Sequence, residues 1–166
     1  MRIGLISDTH GHLDPQILAN LEEVDEIWHA GDFGQFSVIE TLKAMKPLYG
    51  VYGNIDEASI RHEFPENLIF ERAGVKVLMT HIGGYPGRYN ARVKNIIMAE
   101  KPDLYICGHS HILKVIPDQT YGLLHMNPGA CGHHGFHKFR TMLRFDLKAG
   151  KVQNLEAIEL GPRGRK

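Results

Sequence analysis

Cysteine is scarce in this chain, charge of either sign is balanced, and long apolar runs are missing. Two cysteines in 166 residues, Cys107 and Cys131, are too few for a disulfide framework and stand in no Cys-x-x-Cys pattern. That argues against a stapled secreted scaffold and for a reducing interior. Lys plus Arg and Asp plus Glu both total 19, a formal net charge of zero, so no basic field advertises nucleic acid as a bulk partner, although a local basic patch is compatible with the total. No stretch of roughly 18 apolar residues is available for a membrane span, and Met1-Arg2 leads into a strand without the apolar segment of a signal peptide. The expectation is a cytoplasmic protein with no membrane partner. Internal repeats, linkers and low-complexity segments are also missing.

What is there is ordinary except for histidine. A hydrophobic content of 43% and a charged content of 23% suit a soluble globular domain. The length suits one domain with its own core, read as residues 1–160 with 161–166 as a frayed polar tail. Eleven histidines outnumber the seven Phe and the six Met.

The first half alternates strand and helix signals: strand at Ile3 to Ser7, helix from Asp14-Pro15 to Glu23, strand at Ile27 to Ala30, helix capped by Ser37 and running to Met45, strand at Leu48 to Tyr52. Short connections in a βαβαβ order predict a parallel sheet. A hairpin over Leu68 to Glu71 and Val75 to Thr80 turns at Ala73-Gly74, and a helix spans Arg88 to Glu100 before Pro102. Leu104 to Cys107 is a further strand. Beyond Gly108, strand signals at Ile112 to Ile116, Leu123 to Met126, Arg140 to Leu147 and Val152 to Ile158 predict an antiparallel second sheet, with a turn at Lys148 to Lys151. Two sheets face to face with helices outside make an α/β fold, a four-layer α/β/β/α sandwich of two mixed sheets flanked by helices.

Short motifs end five of these apolar runs: Asp8-Thr9-His10, Gly31-Asp32, Gly53-Asn54, Thr80-His81 and Gly108-His109-Ser110-His111. The carboxyl ends of strands in an α/β sheet form the ligand crevice, so seven ligand-type residues would meet there: Asp8, His10, Asp32, Asn54, His81, His109 and His111. Carboxylate and amide oxygens combined with neutral imidazoles suit first-row divalent ions. His109 and His111 leave a strand end in different directions and can each hold a separate ion, which frees Asp32 to bridge. Two ions roughly 3.5 to 4 Å apart clamp a phosphate and sharpen a water into a nucleophile.

Asp-x-His, Gly-Asp, Gly-Asn, a single His after a strand and Gly-His-x-His, in this order, resemble the calcineurin-like metallophosphoesterase superfamily. The run Ser7-Asp8-Thr9-His10-Gly11 and the short length resemble its small bacterial and archaeal phosphodiesterase branch, which is related to the Vps29 subunit of retromer. The match spans residues 3 to about 130. The resemblance implies that Asp8, His10, Asp32 and His111 hold one ion and that Asp32, Asn54, His81 and His109 hold the other. Asp32 would be the bridge, and Asp32, Asn54 and His109 would serve catalysis. It implies two divalent ions, Mn²⁺ first, with Ni²⁺, Fe²⁺, Zn²⁺ and Mg²⁺ as alternatives. It further implies a metal-dependent phosphoesterase that hydrolyses a phosphodiester, or an activated phosphomonoester, by attack of a metal-bridging hydroxide. The partner would be a small phosphate ester, and a homo-oligomer stays open. The alternative is a non-catalytic, metal-binding interaction module of the Vps29 type; a nuclease acting on polymeric nucleic acid would want a basic track.

Two positions depart from the family pattern. Many catalytic members read Gly-Asn-His-Asp/Glu, where the His acts as general acid or positions the phosphate, whereas this chain reads Gly53-Asn54-Ile55-Asp56. Thr80-His81 is followed by Ile82-Gly83 where the small branch often has Gly-His. Other residues keep two readings. His29 is a core histidine or a support for the ligands, and His12 a surface residue or a phosphate contact. Arg88 and Arg92 are surface charges or phosphate contacts. The stretch Asn127 to His137 is a flexible loop or a site rim whose His133 or His134 replaces the missing acid, with Asn127 packed beside the metals. The loop from Ile82 to Arg88 can act as a lid. His62 and His125 read as surface or packing residues.

Overall fold

The computed structural model describes residues 1–164. Apolar β1 (Arg2–Ile6) leads through the first motif to α1 (Pro15–Glu22), which starts where Asp14 accepts the Ile17 N–H at 2.9 Å and Pro15 presets the helical φ. β2 (Glu26–His29), α2 (Phe36–Met45) and β3 (Leu48–Gly50) follow. The second helix begins one residue before the expected cap: the Gln35 carbonyl accepts the Val38 N–H at 3.2 Å and draws Ser37 into the first turn. A short helix, α3 (Ala58–Glu63), has no sequence signal, because it buries only Ile60 and so carries no apolar stripe.

β4 (Asn67–Arg72) and β5 (Val75–Thr80) form the expected hairpin, with Ala73 and Gly74 both left-handed at φ 49° and 78° as a two-residue primed turn requires. α4 spans Ala91–Glu100 rather than starting at Arg88, because Asn90 caps it by accepting the Val93 N–H at 2.9 Å. β6 (Leu104–Ile106), β7 (Leu113–Asp118), β8 (Leu123–Pro128), β9 (Phe139–Lys148) and β10 (Lys151–Pro162) complete the chain.

The late strands do not form a sheet of their own. β7 and β8 join the hairpin in the order β4-β5-β6-β8-β7, while β9 and β10 return to the first sheet in the order β10-β9-β1-β2-β3. β9 runs antiparallel to β1, with Ile3 opposite Phe145 and Leu5 opposite Leu143, so both sheets are mixed. The reason is burial: Leu143, Phe145 and Leu147 reach the same inter-sheet core as Ile3, Leu5, Trp28, Val77 and Ile106. Helices α1 to α3 cover the outer face of the first sheet through Ile17, Leu21, Ile39 and Ile60, and α4 covers the second through Val93 and Ile97. This is the four-layer α/β/β/α sandwich, and its core joins the strands whose ends carry the five motifs.

Gly161 and Pro162 continue β10 past the expected domain end at residue 160, and the Arg163 N–H donates to the Lys138 carbonyl at 2.9 Å. The last two residues of the expected tail, Arg165 and Lys166, lie outside the described residues. Among the described residues no helix is long and apolar enough to cross a membrane.

Candidate metal centre

Five of the seven candidate ligands sit on left-handed backbone: Asp8 at φ 56°, His10 at 47°, Asp32 at 60°, His109 at 67° and His111 at 57°. Such angles are uncommon for residues other than glycine and cluster where a site over-determines the chain. Here they turn the chain off the ends of the strands that carry the motifs. Gly53 and Gly108 let these loops interlock. A Cβ on Gly53 would lie 2.0 Å from Asp32 Oδ1, and one on Gly108 would lie 2.1 Å from Ser7 Oγ.

The side chains gather into two triads, Asp8/His10/His111 and Asp32/His81/His109, with the ligand atoms of each within 4.8 Å of one another. Asp32 belongs to the second triad and reaches the first: its Oδ2 is 3.2 Å from His81 Nε2 on one side and 3.6 Å from His10 Nε2 on the other. Asp8 Oδ1 is 3.1 Å from His111 Nε2. Asn54 stands at the mouth of the same cavity, an open cleft of about 400 Å³ that also exposes His10, Asp32, His109 and His111.

Each carboxylate is half tied. Asp8 Oδ2 accepts from Ser7 Oγ at 2.6 Å and from the His109 N–H at 3.1 Å, while Asp32 Oδ1 accepts the Ile55 N–H at 3.1 Å. Their other oxygens face the histidines. Asp8 Oδ1, His10 Nε2 and His81 Nε2 are buried without a hydrogen-bond partner, although they lie close to one another, because none of the contacts has hydrogen-bond geometry. Buried polar atoms normally find partners, and unpaired lone pairs converging on one point suit a cation.

The tautomers agree. His81 Nδ1 lies 2.7 Å from the Ala30 carbonyl, which can only accept, so Nδ1 carries the proton and Nε2 the lone pair. His137 Nε2 likewise donates to the Gly132 carbonyl at 3.0 Å, leaving its Nδ1 to accept from His111 Nδ1 at 3.2 Å. That relay leaves the lone pair of His111 on Nε2, facing Asp8. Burial lowers the pKa of His10 against the opposing pull of Asp32 and Asp8, and burial, with His81 close by, lowers that of His109. Burial would raise the Asp32 carboxyl, but His81, the Ile55 N–H and His10 hold it below the ordinary carboxylate value. His81, which burial alone would lower, is raised by Asp32 and Asp8. Negative charge thus concentrates where a cation would sit.

A family profile described as the calcineurin-like phosphoesterase superfamily domain matches residues 1–150. The chain belongs to this superfamily. Among curated relatives of the phosphoesterase, a phosphodiesterase of Methanocaldococcus jannaschii is 28% identical over 148 residues, covering 79% of this chain and 84% of its own. A probable metallophosphoesterase of Methanothermobacter thermautotrophicus is 28% identical over 140 residues, covering 78% and 77%. A solved archaeal phosphodiesterase superposes with a TM-score of 0.74 at 26% identity, covering 96% of this chain and all of that one. Vps29 of Entamoeba histolytica, solved with Zn²⁺, superposes with a TM-score of 0.71 at 18% identity, covering 96% and 99%, which is a likeness of fold. The superfamily is metal-dependent, in keeping with the two Asp/His clusters.

Around the cleft of this phosphoesterase, supporting residues join its loops. His29 is fully buried, accepts the Gly31 N–H on Nδ1 at 3.1 Å and meets Thr9 Oγ1 at 3.0 Å, and burial pushes its imidazole down to about 3. It is a neutral brace between two ligand loops. The sequence reading gave Asp56 no role, yet it is buried and accepts the Gly34 N–H at 2.9 Å on one oxygen and the Gly53 N–H at 2.8 Å on the other. Its only signal was its place in the Gly-Asn-x-Asp motif. Asn127 donates to the Gly108 carbonyl at 2.9 Å, holding the His109 loop. His134 packs on His10 with ring centroids 4.8 Å apart and lines the cleft, whereas His133 turns outward to His12, at 4.1 Å, and to the Arg163 carbonyl. His12 faces Asp14 and stands outside the cleft lining. Arg92 lines a neighbouring groove with Arg61 and donates to the Ile82 carbonyl at 2.7 Å.

Proposed function

We propose that this chain is a two-metal phosphodiesterase. The observation that carries the reading is the pair of Asp/His triads, with Asp32 of one reaching the other and with bare lone pairs turned inward. Asp8, His10 and His111 would hold one ion and Asn54, His81 and His109 the other, with Asp32 shared. The mixed oxygen and nitrogen donor set suits Mn²⁺ or a similar first-row ion. The ions would supply Lewis-acid charge to the phosphoryl oxygens and lower the pKa of a water poised to attack. The chain does the rest. Ser7 and the His109 N–H fix Asp8, the Ile55 N–H fixes Asp32, and Ala30 and His137 hold His81 and His111 in the ligating tautomer. Asn54 borders two grooves, the main cleft and the one flanked by Arg61 and Arg92, which gives a diester a place for each of its arms.

Turnover of bis(p-nitrophenyl) phosphate by metal-free and Mn²⁺-loaded protein tests the activity, and metal content tests the bridge. Asp32→Asn should abolish turnover and deplete both ions, while Asn54→Ala should deplete mainly one. Two full equivalents bound by Asp32→Asn would overturn the bridging role. Ile55 in place of the family's histidine favours the rival reading, an interaction module that binds metal without turnover; two equivalents of metal with no hydrolysis of any ester would establish it.

A further inference from the structure

The floor of the main cleft is polar, and its walls carry three exposed apolar side chains among the polar ones. Ile55, Ile112 and Phe136 all line it, and they are 43%, 55% and 105% exposed. Each comes from a different loop, and each adjoins a candidate ligand or a ligand's support in sequence: Asn54, His111 and His137. Apolar side chains gathered at the rim of a polar cleft mark a binding surface more than scattered exposed residues do.

Phe136 is held in place. His137 on one side is fixed by the hydrogen bonds to His111, at 3.2 Å, and to the Gly132 carbonyl, at 3.0 Å. Gly135 on the other side packs so closely that a Cβ would lie 2.2 Å from His111 Nδ1, and its carbonyl accepts from Arg163. The backbone therefore presents a fully exposed phenyl ring beside a candidate metal ligand. Among the described residues no lysine or arginine lines this cleft, although Arg163 reaches the carbonyl of its Gly135 from outside; Arg61 and Arg92 belong to the groove across Asn54, which Glu66 also lines. A second phosphate or a carboxylate on the arm lying in the main cleft would meet no lysine or arginine among the described lining residues, while a flat uncharged group would meet three apolar side chains.

Resting on the phosphodiesterase reading, we infer that Ile55, Ile112 and Phe136 form a subsite for an uncharged, flat and apolar arm of the substrate, an aryl or heteroaryl group joined to the phosphate. The polar arm takes the groove bordered by Arg61 and Arg92. The site then selects asymmetric diesters by the apolar area of one arm, independently of how well that arm leaves.

Binding of non-hydrolysable phosphonates separates this inference from the activity it rests on. Dissociation constants of methylphosphonate, phenylphosphonate and 4-carboxyphenylphosphonate are measured by calorimetry on metal-loaded protein. The readout is the ratio of the methyl to the phenyl constant, which cancels any change in the metal centre itself. The ratio should be about tenfold or more in the unaltered protein, equivalent to about 1.4 kcal/mol, and the carboxylated ring should lose that advantage. In the triple variant Ile55→Ser, Ile112→Ser, Phe136→Ser the ratio should fall towards one while methylphosphonate still binds. Equal binding of the methyl and phenyl compounds by the unaltered protein would overturn the subsite and leave the phosphodiesterase reading standing. A ratio that survives in the triple variant would overturn the assignment to these residues. Failure of any phosphonate to bind would overturn the phosphodiesterase reading as well.

Discussion

His137 stands one hydrogen bond behind the candidate metal centre, and its effect is exerted through a proton. With Nε2 committed to the Gly132 carbonyl, its Nδ1 accepts from His111 and keeps the His111 lone pair on Nε2. Losing such a support typically costs 10- to 100-fold in metal affinity. His137→Ala should therefore weaken metal binding about 10- to 100-fold, with His137→Gln, whose amide oxygen can accept the same proton, recovering part of the loss; competition with a fluorescent chelator reads both. Ile55 acts by what it lacks. A poor leaving group departs as a costly alkoxide unless an acid protonates it, and such help is typically worth about 10² to 10⁴ in rate. Aryl phosphodiesters should turn over far faster than alkyl ones, with a steep dependence of kcat on leaving-group pKa, and Ile55→His should flatten that dependence. A shallow dependence in the unaltered protein would assign the proton to another residue, with His134 first in line because it is the loop imidazole that packs on His10 in the cleft.

At the scale of elements, the site consists of loops held to one another. Asp56 joins the loop after β2 to the loop after β3 by accepting one N–H from each, at Gly34 and Gly53. A buried donor left without a partner costs about 1 to 3 kcal/mol. Asp56→Ala should thus destabilise the fold by about 2 to 4 kcal/mol in urea unfolding and loosen metal binding, because Asp32 and Asn54 ride on these loops. Asp56→Asn, which keeps one acceptor oxygen, should cost about half as much. The sequence announced most elements, through Asp14-Pro15 for α1, the turn at Ala73-Gly74 and the strand signal from Arg140 to Leu147 in β9. It missed α3, whose six residues are too few to show a period, and it gave Ser37 a capping role that the Gln35 carbonyl made unnecessary.

For the whole molecule, two buried histidines tie stability to pH. Burial pushes His29 down to about 3 and His125 to about 4, from an ordinary value of 6.5. Neither ring nitrogen of His125 has a hydrogen-bond partner, and its ring stacks on Tyr105 at 5.0 Å. Below about pH 6.5 the unfolded chain takes up protons that the folded chain refuses. Stability should therefore be full above that pH and should fall on acidification by up to about 1.4 kcal/mol per pH unit for each histidine. The loss levels off only below about pH 4 for His125 and about pH 3 for His29. In metal-free protein, His125→Leu should remove its share of this slope with little change in stability at pH 7.5, since a side chain of similar volume replaces an imidazole with unpaired nitrogens. An unchanged slope in urea unfolding between pH 6.5 and 4 would refute the assignment.

The five motifs, their order and their place at the ends of apolar runs are local properties, and the sequence alone determined them. It likewise determined the alternation of β1 to β3 with helices and the donor types of a cation site, because propensity, capping and ligand chemistry act within a few residues. Pairing across the chain was decided only in the tertiary structure. β9 could be recognised as a strand from its own residues, and it pairs with its neighbour β10, but its pairing on the other side with β1, some 140 residues away, rather than with β8 follows from where Leu143 and Phe145 find a core to fill. The same holds at the site. The reach of Asp32 from one triad to the other, the relay from Gly132 through His137 to His111, and the clamp at Asp56 depend on atoms brought within hydrogen-bond reach by both sheets folding together, and no spacing along the chain encodes those distances.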